Sequence, residues 1–87
     1  MTSKVWSIEV SLTEDPESTR ADAVLTVGDR KFAGNGHARR NPVDPEVPRI
    51  GEELATARAL SELSHRLLHA AVSAIESFEG HPVKVHG

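Results

Sequence analysis

The sequence predicts a two-layer α+β domain, a three-stranded antiparallel meander packed against one long C-terminal helix in the order β-β-β-α. Three observations carry this reading. Apolar and polar residues alternate in three successive runs before residue 39. A turn dipeptide, Gly28-Asp29, separates the second run from the third. From residue 49 onward the apolar spacing becomes helical and holds to residue 79. The 87 residues then form one domain: a meander over 4–38, a proline-rich crossover over 39–48, a helix over 49–79 and a tail over 80–87.

The first run, KVWSIEVSLT over 4–13, sets Trp6, Ile8, Val10 and Leu12 against Ser7, Glu9 and Ser11. It reads as a strand with one buried face. EDPESTR over 14–20 is acidic and polar and reads as a loop. ADAVLTV over 21–27 is the second strand, with Ala21, Ala23, Leu25 and Val27 on one side. RKFAGNGHA over 30–38 is the third, with Phe32, Gly34, Gly36 and Ala38 on one side. Glycines inside a strand mark a bulge or a close approach, and the long helix is the expected neighbour.

Pro42, Pro45 and Pro48 fix φ and turn their predecessors away from helix, so the crossover is stiff. The helix should start at Pro48 or shortly after, with Glu52 and Glu53 near its positive end. Ile50, Leu54, Ala57, Leu60, Leu67, Leu68, Ala71, Val72, Ile75 and Phe78 share one broad arc, the expected buried face. Ala55, Ala59, Ala70 and Ala74 supply helix propensity between them. Gly80 is the expected stop and Pro82 prevents continuation. Val83 and Val85 alternate, which fits either a short edge strand or irregular chain. A helix of about 45 Å outruns strands of about 24–34 Å. Its overhang would leave apolar surface for a second copy, so a homodimer is expected.

Composition narrows the function. The chain has no cysteine, which removes disulfides and thiolate metal sites. Trp6, Phe32 and Phe78 are its only aromatics, so the core is mostly aliphatic. No apolar run approaches the ~20 residues that span a bilayer, and MTSKVWSIEV lacks a signal-peptide core. A cytoplasmic location is expected. The net charge of −3 disfavours binding driven by general phosphate attraction.

No motif specifies catalysis. Ser61, Glu62, Ser64, His65 and His69 lie close together, but without the strained turn that exposes a nucleophile, so no enzyme activity is expected. His65 and His69 stand four apart and form a weak zinc candidate, lacking the glutamate of HExxH between them. The other reading is a solvated face with Arg58, Glu62 and Arg66 pairing along it. Gly34-Asn35-Gly36 lies inside a strand with no helix at once behind it, which rejects a dinucleotide loop. No cofactor or small-molecule substrate is expected.

The densest chemical feature is basic. Arg30, Lys31, His37, Arg39 and Arg40 fall within eleven residues free of acids, and Arg49 follows. Arginine suits bidentate contact with phosphate or carboxylate. Alternatively, Arg39 and Arg40 pair with Asp44, Glu46, Glu52 or Glu53 and hold the crossover in place. Stacking of single-stranded RNA is disfavoured because Trp6 and Phe32 read as core-facing.

The run GNGHARRNPVDPEVPRIGEELATARALSEL resembles the signature of a family of short uncharacterised actinobacterial proteins, a domain of unknown function. The likeness extends from Val5 to about Phe78. Its most distinctive parts are Ala38-Arg39-Arg40-Asn41-Pro42, Ile50-Gly51-Glu52-Glu53-Leu54-Ala55 and Ala57-Arg58-Ala59-Leu60. The resemblance implies a fold like the double-stranded-RNA-binding domain, similar to ribosome-hibernation factors, and an association with stress or dormancy. This chain departs from those factors by lacking an initial strand–helix unit and a strongly basic surface. Arg39 and Arg40 carry over as contacts to RNA or a partner. Two readings result: a stress-associated homodimer that binds the ribosome or structured RNA, or a protein-interaction or structural module with no nucleic-acid role.

Overall fold

A computed structural model describes residues 2–40 and 47–79. Strands β1 (Ile8–Glu14), β2 (Ser18–Val27) and β3 (Arg30–Arg39) precede one helix, α1 (Pro48–Glu79). The sheet is an antiparallel meander in the order β1-β2-β3. Its register sets Ile8, Val10 and Leu12 opposite Leu25, Ala23 and Ala21. Ala21, Ala23 and Leu25 in turn face Gly36, Gly34 and Phe32. All these residues share the helix-side face of the sheet, as the alternation predicts.

The β2–β3 turn uses Gly28 at φ +61, the left-handed conformation expected there. The β1–β2 connection is tighter than the loop expected over 14–20. Asp15 Oδ1 accepts the N–H groups of Glu17 and Ser18 at 2.8 and 2.9 Å, and its own N–H donates to the Ser18 carbonyl at 3.0 Å. This local closure lets β2 begin at Ser18. β1 begins at Ile8 rather than at residue 4, and Trp6 is 55% exposed rather than core-facing.

The helix buries a stripe that shares only Leu67 with the expected arc of large apolar residues. Gly51, Ala55, Ala59, Leu63 and Leu67 recur every fourth position and face the sheet. Ala55, Ala59 and Leu63 are buried, whereas Ile50, Leu54, Leu60, Ile75 and Phe78 are exposed. The cause lies in β3. A side chain on Gly34 would meet the Ala59 carbonyl and the Leu63 amide at 2.5 Å; one on Gly36 would meet the Ala55 carbonyl and the Ala59 amide. Helix backbone thus rests directly on strand backbone, and only small side chains fit between them. Alanines read as helix formers are the packing surface.

The helix lies over β3 and β2 and barely touches β1. Pro48 occupies its first position, so Glu52 and Glu53 sit one turn inside it rather than at the end. At 32 residues the helix is about 48 Å long, against about 33 Å for a ten-residue strand, so its C-terminal part overhangs the sheet. Asn41, Pro42, Asp44, Pro45 and Glu46 of the crossover, and the 80–87 tail with its stop at Gly80, lie outside the described residues.

Candidate functional site

The basic block is divided by the alternation of β3. Lys31, His37 and Arg39 are exposed on the open face of the sheet, away from the helix. Arg30 is on the other side, where its guanidinium carbon lies 4.8 Å from the centre of the Phe32 ring. Arg40 leaves the strand end. Its N–H donates to the Glu17 carbonyl at 2.8 Å and its Nε to the Pro16 carbonyl at 3.1 Å, which ties β3 to the β1–β2 turn. Arg49 pairs with Glu53 at 3.6 Å along the helix.

One local cluster survives this division. Arg20 faces His37 across the β2–β3 pair, and Arg39 follows on the same face. Arg20 clamps Asp22 through Nε and Nη2 at 3.0–3.2 Å. That hydrogen bonding, with the charges of Arg20 and His37, holds the Asp22 carboxyl below its ordinary range. Arg20 was hidden in a segment read as loop. Once β2 includes it, its signal is a cation two residues before an acid on one strand face.

The helix flank above β3 carries a second arrangement. Arg58 Nη1 donates to the His37 carbonyl at 2.6 Å, and Glu62 Oε2 accepts the Asn35 N–H at 3.4 Å. Glu62 also takes Arg66 at 2.7 Å, which with the Asn35 contact keeps its carboxyl below the usual range. Of the expected Arg58–Glu62–Arg66 series, only the second pair forms; Arg58 serves the strand instead. His65 Nδ1 donates to the Ser61 carbonyl at 2.8 Å, and Glu62 is engaged elsewhere, so these side chains do not converge on a nucleophile. Among the described residues, no three His, Asp or Glu side chains gather as a metal would need, His65 and His69 included.

The two sheet edges differ. Asn35 and His37 turn their N–H and C=O outward on β3, so Gly34, Gly36 and Ala38 bond inward to β2. The same alternation carried across β2 bonds Glu9, Ser11 and Thr13 to it. Ile8, Val10 and Leu12 therefore turn their backbone groups toward the open edge. Side chains from the helix cap β3, while among the described residues none caps the outward edge of β1. Beside that edge, Ile8 and Leu12 are 45% and 42% exposed on the helix-side face, and Leu60 is exposed on the adjacent helix flank.

A cleft of about 400 Å³ lies where the helix starts, between Ile50 and Leu54 on one side and Glu14 and Arg39 on the other. Glu14 meets Glu52 there, and partial desolvation together with this carboxylate neighbour raises the Glu14 pKa. No helix among the described residues is long and apolar enough to cross a membrane.

Comparison with known proteins fits this architecture. The crystal structure of Rv2632c superposes with a TM-score of 0.86 at 41% identity, covering 94% of this chain and 98% of that one. The Mycobacterium tuberculosis protein Rv2632c, itself uncharacterised, is 44% identical over 80 residues, or 92% of this chain and 86% of its own length. A second uncharacterised M. tuberculosis protein, MT1780, is 40% identical over 80 residues, or 92% of this chain and 85% of its own. The Rv2632c-like family model matches residues 4–84, and the chain belongs to that family.

Proposed function

We propose that this protein is a non-enzymatic interaction module that works as a homodimer in the cytoplasm. One observation carries the reading: among the described residues, more large apolar side chains lie outside than are buried. Among the described residues, Leu25 and Leu63 are the largest fully buried side chains, and the rest of the buried apolar core is alanine. Trp6, Ile8, Leu12, Ile50, Leu54, Leu60, Ile75 and Phe78 are all more than a third exposed. A core this small supports little stability by itself, and association is a common remedy in scaffolds of this size. Light scattering at micromolar concentration tests it. The expected mass is twice 9.4 kDa, and a monomer at every concentration rejects the reading.

A second reading rests on Arg20, His37 and Arg39, which gather two guanidinium groups and an imidazole on the solvent-facing side of the sheet. It makes the dimer a binder of the ribosome or structured RNA under stress or dormancy, as the hibernation-factor resemblance implies. Co-sedimentation with ribosomes across a salt series tests it. Binding that weakens steeply with salt and is lost in the Arg20→Glu/Arg39→Glu variant supports it. Absence of binding at low salt leaves the module without a nucleic-acid role.

A further inference from the structure

Resting on the homodimer reading, we propose that the bare edge of β1 is the dimer interface. It pairs antiparallel with β1 of a second copy about a two-fold axis at Val10, setting Ile8 opposite Leu12 of that copy. The two sheets become one of six strands with both helices on the same side.

The edges decide which strand pairs. An unpaired edge is a template for another strand unless something blocks it. Arg58 and Glu62 already occupy the outward His37 carbonyl and Asn35 amide of β3. Among the described residues β1 has no such cover, and its outward backbone groups belong to Ile8, Val10 and Leu12, of which Ile8 and Leu12 keep exposed apolar side chains while Val10 packs on the core. One pairing event therefore satisfies the backbone and shields the side chains together.

Chemistry selects the register. Only even positions turn outward, so paired residues are even with even. Centring on Val10 sets Ile8 against Leu12 and Glu9 against Ser11. Sliding the pair toward the N-terminus by one step opposes Glu9 to Glu9 of the copy, a like-charge contact. Sliding it the other way opposes Ile8 to Glu14. In the central register, extension of the chain back from Ile8 brings Lys4 diagonally across from Glu14 of the copy. That position supplies a cation to the Glu14–Glu52 carboxylate pair. A helix seated over β2 and β3 stands about two strand spacings from the axis. The two helix axes are then about 19 Å apart, well beyond the 8–10 Å of direct packing, so the strands carry the interface.

The test combines a proline and a cysteine. The Val10 N–H points out of the sheet, so Val10→Pro removes a dimer bond and no bond within the chain. The expected result is association weakened tenfold or more, about the loss of one backbone hydrogen bond per copy, with Leu60→Glu and Ile75→Glu still dimeric. The chain has no cysteine, so Val10→Cys gives a single thiol that a short bis-maleimide links into a covalent dimer, while Ile75→Cys does not. A dimer that survives Val10→Pro but is lost in Leu60→Glu or Ile75→Glu overturns the β1 interface and keeps the homodimer. A wild-type monomer overturns both. If Val10→Pro does not fold, failure of Val10→Cys to link within a proven dimer overturns the interface.

Discussion

Arg58 donates through Nη1 to the carbonyl oxygen of His37 at 2.6 Å, so a helix side chain caps an outward backbone group on the free edge of the third strand. Glu62, one turn further on, accepts the Asn35 N–H on the same edge. Two long charged side chains thus do what a fourth strand would do, at little cost in packed volume. Removing them tests that role. Arg58→Ala should cost about 0.5–1 kcal/mol in urea unfolding, the net worth of one solvent-accessible hydrogen bond from a charged donor. Arg58→Ala/Glu62→Ala should also form species larger than the wild type, seen by light scattering, because β3 becomes a second sticky edge. An unchanged mass would mean that the caps do not guard the edge.

Gly34 and Gly36 set the distance between the layers. A methyl group at either site would collide with helix backbone, not with a side chain that can swing away. The helix would have to lift off β3, opening the Ala55–Ala59–Leu63 contact along its length. Gly34→Ala or Gly36→Ala should destabilise by about 1–3 kcal/mol or more, read from the denaturant midpoint at unchanged slope. The reverse change at a facing position, Ala59→Leu, meets the same wall and should cost a similar amount.

These glycines also explain which parts of the fold were legible. Strand order, the Gly28 turn and the buried side of β2 follow from period-two alternation and turn chemistry, which are local. The contact of β3 with the helix was legible too, since a glycine pair in a strand announces a close neighbour. The buried stripe of the helix was not. Large residues outvoted alanines on the wheel, yet a partner made of Gly34 and Gly36 accepts only small side chains, and that is a property of the pair of elements. The same limit hid the site. Arg39 and Arg40 adjoin in sequence but part company in space, because one lies on the open sheet face and the other binds the Pro16 carbonyl. Arg20 joined the cluster only because Asp15 closes its turn within three residues, which converts the expected loop into strand.

The carboxylates give the stability curve opposing slopes. Asp22 and Glu62 have lowered pKa values, through Arg20 and through Arg66 with the Asn35 amide. Each adds stability that is present above its unfolded pKa and lost as pH falls through the folded one. Glu14 has a raised pKa, from desolvation first and Glu52 second. Its contribution is present below the unfolded pKa and lost as pH rises through the folded one. Glu14→Gln should therefore raise Tm at pH 7 and leave it nearly unchanged at pH 3. Asp22→Asn should do the opposite, lowering Tm at pH 7 and flattening the acid side. Thermal melts from pH 3 to 7 check both signs, and a Glu14→Gln protein that melts lower at pH 7 would contradict the carboxylate repulsion.

The Gly28 turn isolates a purely conformational term. Nothing lies within 4 Å of where a Cβ would stand at Gly28, so a side chain there meets no neighbour. What it meets is its own backbone, because φ is +61. A non-glycine L-residue pays roughly 1 kcal/mol for that region, and asparagine pays least because its short amide tolerates it. Gly28→Ala should lose about 1 kcal/mol, Gly28→Asn clearly less, and Gly28→Val more, since a β-branched residue is the poorest fit to positive φ. The ordering Asn, Ala, Val in urea midpoints is the readout. If all three variants fell together, the open space around Gly28 would not exist in solution and packing, not φ, would be setting the turn.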